Sequence, residues 1–285
     1  MGGESSLSTF TAGDGENLAV QDWPLEPGQP LRGVVLIVHG LGEHAGRYEG
    51  LAQRLNEWGF GVRGYDHYGH GDSAGPRGGL NSDTRLLDDL VDVVESTRVR
   101  MPRGLPLILL GHSLGGLVAA RFVAQRLAPV DGLVLSSPAL DAGLNPFQQL
   151  LVAVLPRVWP DLRVSNGLKT RYLSHDPQVV RAYEADPRCH DRVSARMARF
   201  IAEAGPLTVA AAPRWTMPTL LMYAGDDRLV NPAGSRAFAA QAPACVQSHC
   251  FEGLYHELFN ELEAGPVYDC LGAWLDRQSA SQAGV

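Results

Sequence analysis

Cysteine is scarce, with four in 285 residues. Cys189, Cys245, Cys250 and Cys270 form no C-x-x-C pair, and so few in a chain this long do not make a disulfide framework. They read as small buried residues, and no zinc site is expected from them. An excess of basic residues is also missing. The formal net charge is -7, which argues against nucleic acid as a partner. No stretch approaches the roughly 18 apolar residues of a membrane span. The opening MGGESSLSTF has no basic segment followed by an apolar one, so no signal peptide is expected, and the expected compartment is the cytoplasm. Internal repeats and low-complexity tracts are absent too. What is present, 45% hydrophobic and 19% charged residues, is a globular composition with ample core.

Buried strands and amphipathic helices alternate along the first half. GVVLIVHG (Gly33–Gly40) is a continuous β-branched run, as expected of a strand covered on both faces. RYEGLAQRLNEWG follows with helical spacing at Leu51, Leu55 and Trp58, closed by Gly59. FGVRGYD reads as the next strand and TRLLDDLVDVVESTR as the next helix. LPLILLG (Leu105–Gly111), LGGLVAARFVAQRL (Leu114–Leu127) and DGLVLSSPAL (Asp131–Leu140) continue the rhythm. This is βαβ spacing, which predicts a mostly parallel sheet with helices on both faces. From Asp141 to Trp215 there are helical patches but no convincing buried strand. The alternation resumes at MPTLLMYAGDD, with a helix near Pro232–Gln241, a strand in ACVQSHCFEG and a last helix near Glu263–Arg277. The expected division is a core of residues 7–140 and 216–278, a helical insertion at 141–215, and flexible termini at 1–6 and 279–285.

GHSLGG (Gly111–Gly116) lies between a predicted strand and a predicted helix. The five-residue G-x-S-x-G match is too short to decide anything alone, but its position is that of a nucleophile elbow. Such a turn strains the nucleophile and lifts its hydroxyl above the sheet, and the chain there passes close to itself. Gly111, Gly115 and Gly116 around His112 and Ser113 meet that need. A nucleophilic Ser113 needs a base and an orienting acid, which in this type of turn follow it in the order serine, acid, histidine. His249 falls inside the strand CVQSHCF, where a packed or edge histidine is the better reading. His256 falls just past that strand's end and is the expected base. Asp226 and Asp227 both sit at the end of TLLMYAG, and spacing does not separate them. The oxyanion donors are expected to be the backbone N–H of Leu114 and, from the glycine-rich HGLGEHAGRY, that of Leu41.

Two competitors share these segments. Gly40, Gly42 and Gly46 followed by Asp66 approximate a dinucleotide fingerprint, but the last glycine is one residue late and the serine, acid and histidine go unused. DHYGHGD (Asp66–Asp72) carries potential metal ligands without a cluster to complete them.

Taken together, HGLGEHAGRY, GYDHYGHGDS, GHSLGG, SSPAL, GDDRLV and YHELFNE resemble the monoacylglycerol lipase and lysophospholipase branch of the α/β-hydrolase superfamily, in the expected order across residues 34–276. The resemblance implies the α/β-hydrolase fold, with Ser113 as nucleophile, His256 as base, and Asp227, which directly precedes Arg228–Leu229, as the acid. It implies Leu41 and Leu114 as the oxyanion hole, and a cap formed by the insertion over an acyl-binding tunnel, with Tyr183 near the head-group end. No cofactor or metal is implied. The expected substrate is a small lipid ester, most readily a monoacylglycerol, with lysophospholipase or broad carboxylesterase as alternatives. A binding protein on the same scaffold is a remote one, because every triad position is filled. The apolar segment Leu144–Trp159 reads equally as packing onto the core or its cap neighbours and as an acyl-tunnel wall that also touches membranes or micelles transiently. Oligomeric state is left open.

Overall fold

The computed structural model describes residues 5–282. Among the described residues ten strands and eight helices follow one another: β1 (Ser6–Thr11), β2 (Asn17–Trp23), β3 (Gly33–Val38), α1 (Glu49–Glu57), β4 (Phe60–Tyr65), α2 (Arg85–Arg100), β5 (Leu107–His112), α3 (Leu114–Gln125) and β6 (Gly132–Ser136) come first. Then come α4 (Pro146–Val158), β7 (Arg163–Ser165), α5 (Pro177–Ala185), β8 (Arg192–Ser194), α6 (Ala195–Ala211), β9 (Thr219–Ala224), α7 (Ala233–Gln241), β10 (Val246–Phe251) and α8 (Gly265–Gln282).

Eight strands form one sheet in the order β1-β2-β4-β3-β5-β6-β9-β10, which is that of an α/β-hydrolase core. From β4 to β10 all pairs are parallel, and β1 and β2 join antiparallel at one edge. The parallel strands alternate their side chains between two cores, which is why they read as unbroken apolar runs. Leu36, Val38, Leu107 and Leu109 face α2 and α3, with Leu90, Leu117 and Phe122. Val35, Ile37, Ile108 and Leu110 face α1 and α8, with Leu55, Leu271 and Trp274. At a β-branched strand buried on both faces, each fully buried side chain contributes about 1.5–3 kcal/mol relative to exposure.

The chain runs from β3 to β4 on one side and then crosses back to β5 on the other. The sheet order therefore reverses between β3 and β5. In a parallel sheet the loops leaving two such strands diverge, and a crevice opens at their carboxyl ends. The loop after β3 and the turn after β5 lie at this switch point.

The segment between β6 and β9 adds no strand to the large sheet. It carries α4, α5 and α6, together with a two-stranded antiparallel pair, β7 with β8. That pair adds two short strands to a segment expected to hold helical patches and no convincing buried strand. Three residues per strand are too few to show a period, and all of β7 is exposed. α6 also runs on through Pro206 to Ala211. Structure reaches beyond the expected ends: Ser6 pairs with Asp22 in the β1–β2 hairpin, and α8 continues to Gln282. Residues 1–4 and 283–285 lie outside the described residues.

Candidate active site

Ser113 stands between β5 and α3 with φ 54° and ψ -118°. A non-glycine residue with positive φ is strained, and the surrounding bonds hold it there. Its N–H donates to the Ser136 carbonyl at 3.0 Å, and its own carbonyl accepts the Ala139 N–H at 3.0 Å. The flanking glycines are required by contact. A Cβ on Gly115 would lie 1.9 Å from the Val38 carbonyl oxygen, and one on Gly111 would lie 2.5 Å from the Gly115 carbonyl oxygen. His112 is buried beside Ser136 Oγ at 3.2 Å. Burial, together with the neighbouring His256, depresses its pKa to about 4, so it is neutral at physiological pH. Leu114 opens α3, whose first N–H groups have no partner within the helix and favour negative charge.

The loop after β3 is braced on both sides of Leu41. The Gly40 N–H donates to Glu43 Oε1 at 2.6 Å. The Gly42 carbonyl accepts the Tyr183 hydroxyl at 3.0 Å and the His190 N–H at 2.9 Å. His39 anchors the loop's start: its Nδ1–H donates to the Gly40 carbonyl at 2.7 Å, and its Nε2 accepts the His67 N–H at 2.9 Å. Burial lowers the His39 pKa to about 3, consistent with this neutral form. Leu41, Ser113 and Leu114 then line one cavity of about 190 Å³, closed by Leu144, Val152 and Leu229. A second cavity of about 200 Å³ shares Leu144, Val152 and Ala198 with it and runs on between α4 and α6. Larger depressions of about 430 and 640 Å³ open at the opposite end of the sheet, around Gly61–Val62 and Arg126–Leu127. Those are the amino ends of the strands and hold none of the residues singled out for chemistry.

His256 and Asp227 meet as expected. The His256 Nδ1–H donates to Asp227 Oδ2 at 2.7 Å. Asp227 Oδ1 accepts the N–H groups of Leu229 and Val230, each at 2.9 Å. Burial alone would favour the neutral imidazole, but the Asp227 carboxylate, with Glu257 and Glu43 farther off, outweighs it and raises the His256 pKa. For Asp227, burial works toward the neutral acid, and the His256 charge and three hydrogen bonds override it, so its pKa is lowered. The His256 ring centroid lies 4.7 Å from that of His112, next to Ser113. Asp226, by contrast, turns outward to Arg228. Side-chain exposure separates the two aspartates, 44% for Asp226 against 3% for Asp227. His249 is exposed on the edge strand β10.

Tyr183 is spent on the loop rather than in the apolar cavity: its hydroxyl holds Gly42, and the Arg47 guanidinium lies 4.8 Å over its ring. Asp66 accepts the N–H groups of Ala45 and Asp72, both at 2.8 Å, so it ties the β3 and β4 loops together. His67 and His70 each bond a backbone carbonyl. One group of potential metal ligands, His44, Asp186 and Cys189, comes together within 4.8 Å. His44 Nδ1 accepts the Gly46 N–H, which places the ring proton on Nε2, donating to Asp186 at 2.9 Å. A metal at Nε2 would have to displace that proton, and burial holds the Cys189 thiol at a pKa of about 12. The His44–Asp186 pair ties the loop after β3 to the segment that follows α5.

Sequence reasoning missed a buried charge network beside the site. Arg47 pairs with both Glu43 and Glu257, and Tyr48 donates to Glu43 at 2.7 Å. The signal was present as charges inside HGLGEHAGRY and YHELFNE, but only the fold brings positions 43 and 257 to one arginine.

Residues 29–263 match the family described as serine aminopeptidase S33. The chain is 36% identical to a monoacylglycerol lipase of Mycolicibacterium smegmatis over 95% of this chain and 96% of that one. It is 31% identical to phospholipase YtpA of Bacillus subtilis, over 90% and 99%. The crystal structure of Paleococcus ferrophilus monoacylglycerol lipase superposes with a TM-score of 0.80 at 32% identity, covering 97% of this chain and all of that one. The chain belongs to the serine aminopeptidase S33 family, in the monoacylglycerol lipase-like branch of the α/β-hydrolases, and is a serine ester hydrolase.

Proposed function

We propose that the chain hydrolyses monoacylglycerols to glycerol and fatty acid through an acyl-enzyme on Ser113. The observation that carries this reading is a strained Ser113 lining an apolar cavity, with His256 held on Asp227 at 2.7 Å and its ring centroid 4.7 Å from that of His112, the residue before the serine. His256 takes the Ser113 proton as Oγ attacks the ester carbonyl, then gives it to the departing glycerol oxygen. Asp227 keeps the imidazole in the tautomer that accepts at Nε2, and stabilises its charged form. The N–H groups of Leu41 and Leu114 hold the oxyanion. Water, activated by the same histidine, releases the fatty acid. None of these steps draws on a metal or a cofactor. The similarity to a monoacylglycerol lipase and the apolar lining between α4 and α6 support an acyl chain as the group bound.

The similarity to a phospholipase favours a second reading, in which the alcohol is a lysophospholipid head group. Fatty-acid release from a panel of monoacylglycerols of graded chain length and a chain-matched lysophospholipid tests both. Preference for the monoacylglycerols supports the first reading, and preference for the lysophospholipid replaces it with the second.

The insertion forms the cap in this proposal, and it touches lipid surfaces transiently. No helix among the described residues is long and apolar enough to cross a membrane. Leu150, Val154 and Val158, spaced by four along α4, are exposed, and Trp159 at its end is 62% exposed. Such a stripe fits a peripheral contact rather than a span.

A further inference from the structure

The histidine loop is held from outside by the insertion, and one buried carboxylate joins them. Glu261 is 1% exposed at its side chain. Its Oε1 accepts the Tyr255 N–H at 2.7 Å and the His175 Nδ1–H at 2.9 Å, and its Oε2 accepts the His175 N–H at 3.1 Å. The His175 ring stacks on that of Tyr255, with centroids 3.6 Å apart and planes 20° from parallel. Two further bonds cross the same seam: the Glu257 N–H donates to the Leu173 carbonyl at 2.8 Å, and Ser174 Oγ donates to the Asn260 carbonyl at 2.8 Å. Arg228 lies over the Tyr255 ring at 5.6 Å and over Tyr172 at 5.1 Å. The seam thus grips the residues on both sides of His256 and the one after Asp227.

We propose that Glu261 is a positioning residue: it fixes the Tyr255–His256 backbone against His175 of the insertion, so that the seat of the insertion sets the placement of His256. The bonds of Glu261 go to Tyr255 and His175 and it is not among the residues lining the cavity, so it acts through Tyr255. The physical reason is the cost of alternatives. A carboxylate this buried is kept there only by fully satisfied hydrogen bonds, and it has three, one to the histidine loop and two to His175. Moving the insertion strips two of them, so the loop and the insertion shift together. An error of about 1 Å in the base costs about 100-fold in rate.

The inference rests on the assignment of Ser113, Asp227 and His256 made above. The test measures turnover of a soluble short-chain ester per active serine, with active serines counted by phosphonate labelling carried to completion, in Glu261→Gln, Glu261→Ala, His175→Phe, His175→Ala and the Glu261→Ala/His175→Ala double variant, and turnover per mole of folded protein in Ser113→Ala, which has no serine to label. Counting active sites removes the effect of unfolded protein, and a short ester removes the effect of the acyl cavity. The expected result is a loss in kcat of about 10- to 100-fold for Glu261→Ala with KM nearly unchanged. Glu261→Gln, which keeps an acceptor for Tyr255, retains more activity. His175→Ala loses more than His175→Phe, which keeps the stack, and the double variant of Glu261→Ala with His175→Ala loses no more than Glu261→Ala alone. Unchanged kcat per active serine in Glu261→Ala, with only a lower Tm, overturns the positioning role while Ser113→Ala remains inactive. Should Glu261→Ala not fold, unchanged kcat per active serine in both His175 variants overturns it equally. Full activity of Ser113→Ala instead overturns the triad assignment on which the inference stands.

Discussion

Asp227 divides its two oxygens between two tasks. Oδ2 accepts the His256 Nδ1–H at 2.7 Å, while Oδ1 is held by the N–H groups of Leu229 and Val230. The backbone bonds fix the carboxylate, and the carboxylate fixes the ring. Asp227→Asn keeps the shape but offers an amide that can donate to His256 and so select the wrong tautomer. We expect kcat to fall by about 10³- to 10⁴-fold with a small change in KM. Asp226→Asn is the control: its partner is the exposed Arg228, and turnover should stay near that of the unmodified protein.

The raised pKa of His256 has a consequence with a definite sign. The base works only when neutral, so kcat/KM falls as pH drops through its pKa. Asp227 holds that pKa above the usual 6.5 against the effect of burial, so the acid limb of the profile should lie above pH 6.5. In Asp227→Asn burial is left less opposed, and the limb of the residual activity should move to lower pH. A pH–rate profile of both proteins on a short ester checks this. A limb that stays in place would count against His256 as the titrating base.

Glu43 holds the Gly40 N–H, the Tyr48 hydroxyl and Arg47 at once. Its pKa is lowered, because Arg47 and these donors outweigh burial, so it is charged at neutral pH. Glu43→Ala leaves Arg47 with Glu257 alone and releases one side of the Leu41 turn. Thermal unfolding should show a loss of about 1–3 kcal/mol, as for buried donors left unpaired at Gly40 and Tyr48 while Arg47 keeps Glu257. Turnover should fall about 10- to 100-fold through the displaced oxyanion donor. Glu43→Gln should lose less of both.

Two alanine substitutions at glycine should have opposite signs. In Gly115→Ala the new methyl, in the first turn of α3, would lie 1.9 Å from the Val38 carbonyl oxygen of β3. Neither β3 nor α3 can yield, and a loss of several kcal/mol, or no folded protein, is expected. Gly50 is exposed in α1, and a Cβ there meets nothing within 4 Å. Gly50→Ala should stabilise by about 0.5–1 kcal/mol through helix propensity. Differential scanning calorimetry on both variants decides the matter.

Replacing the exposed face of α4 with Leu150→Ser, Val154→Ser and Val158→Ser should separate lipid contact from chemistry. Hydrolysis of long-chain substrate in micelles should fall several-fold, while a soluble short ester reacts as before. Equal losses on both substrates would place the face in the folding of the insertion instead.

The alternating sheet, the turn at Ser113 and the position of His256 past a strand's end were legible because they rest on local rules. A strand buried on both faces has to be an apolar run, and β3, β5, β6 and β9 are. The turn at Ser113 tolerates only glycine where the chain touches itself, so Gly111 and Gly115 mark it in the sequence. His256 was separable from His249 because a residue past a strand's end reaches across the sheet and one inside an edge strand does not. Asp226 and Asp227 were inseparable by spacing, since adjacent residues in a turn point in directions that only the closed loop determines. The three-residue strands β7 and β8 carried no period to read.

The sequence by itself determined which elements form and which residue types stand at their ends, since propensity, apolar period and close backbone contact act over a few residues. The tertiary structure decided which charges are buried. Glu43, Glu257 and Glu261 look in sequence like ordinary solvated acids. They are something else because Arg47 meets a residue 210 positions away and His175 one 86 positions away. A carboxylate is kept out of water only by the donors around it, and those are supplied by parts of the chain that come together only when the sheet and the segment between β6 and β9 are both in place.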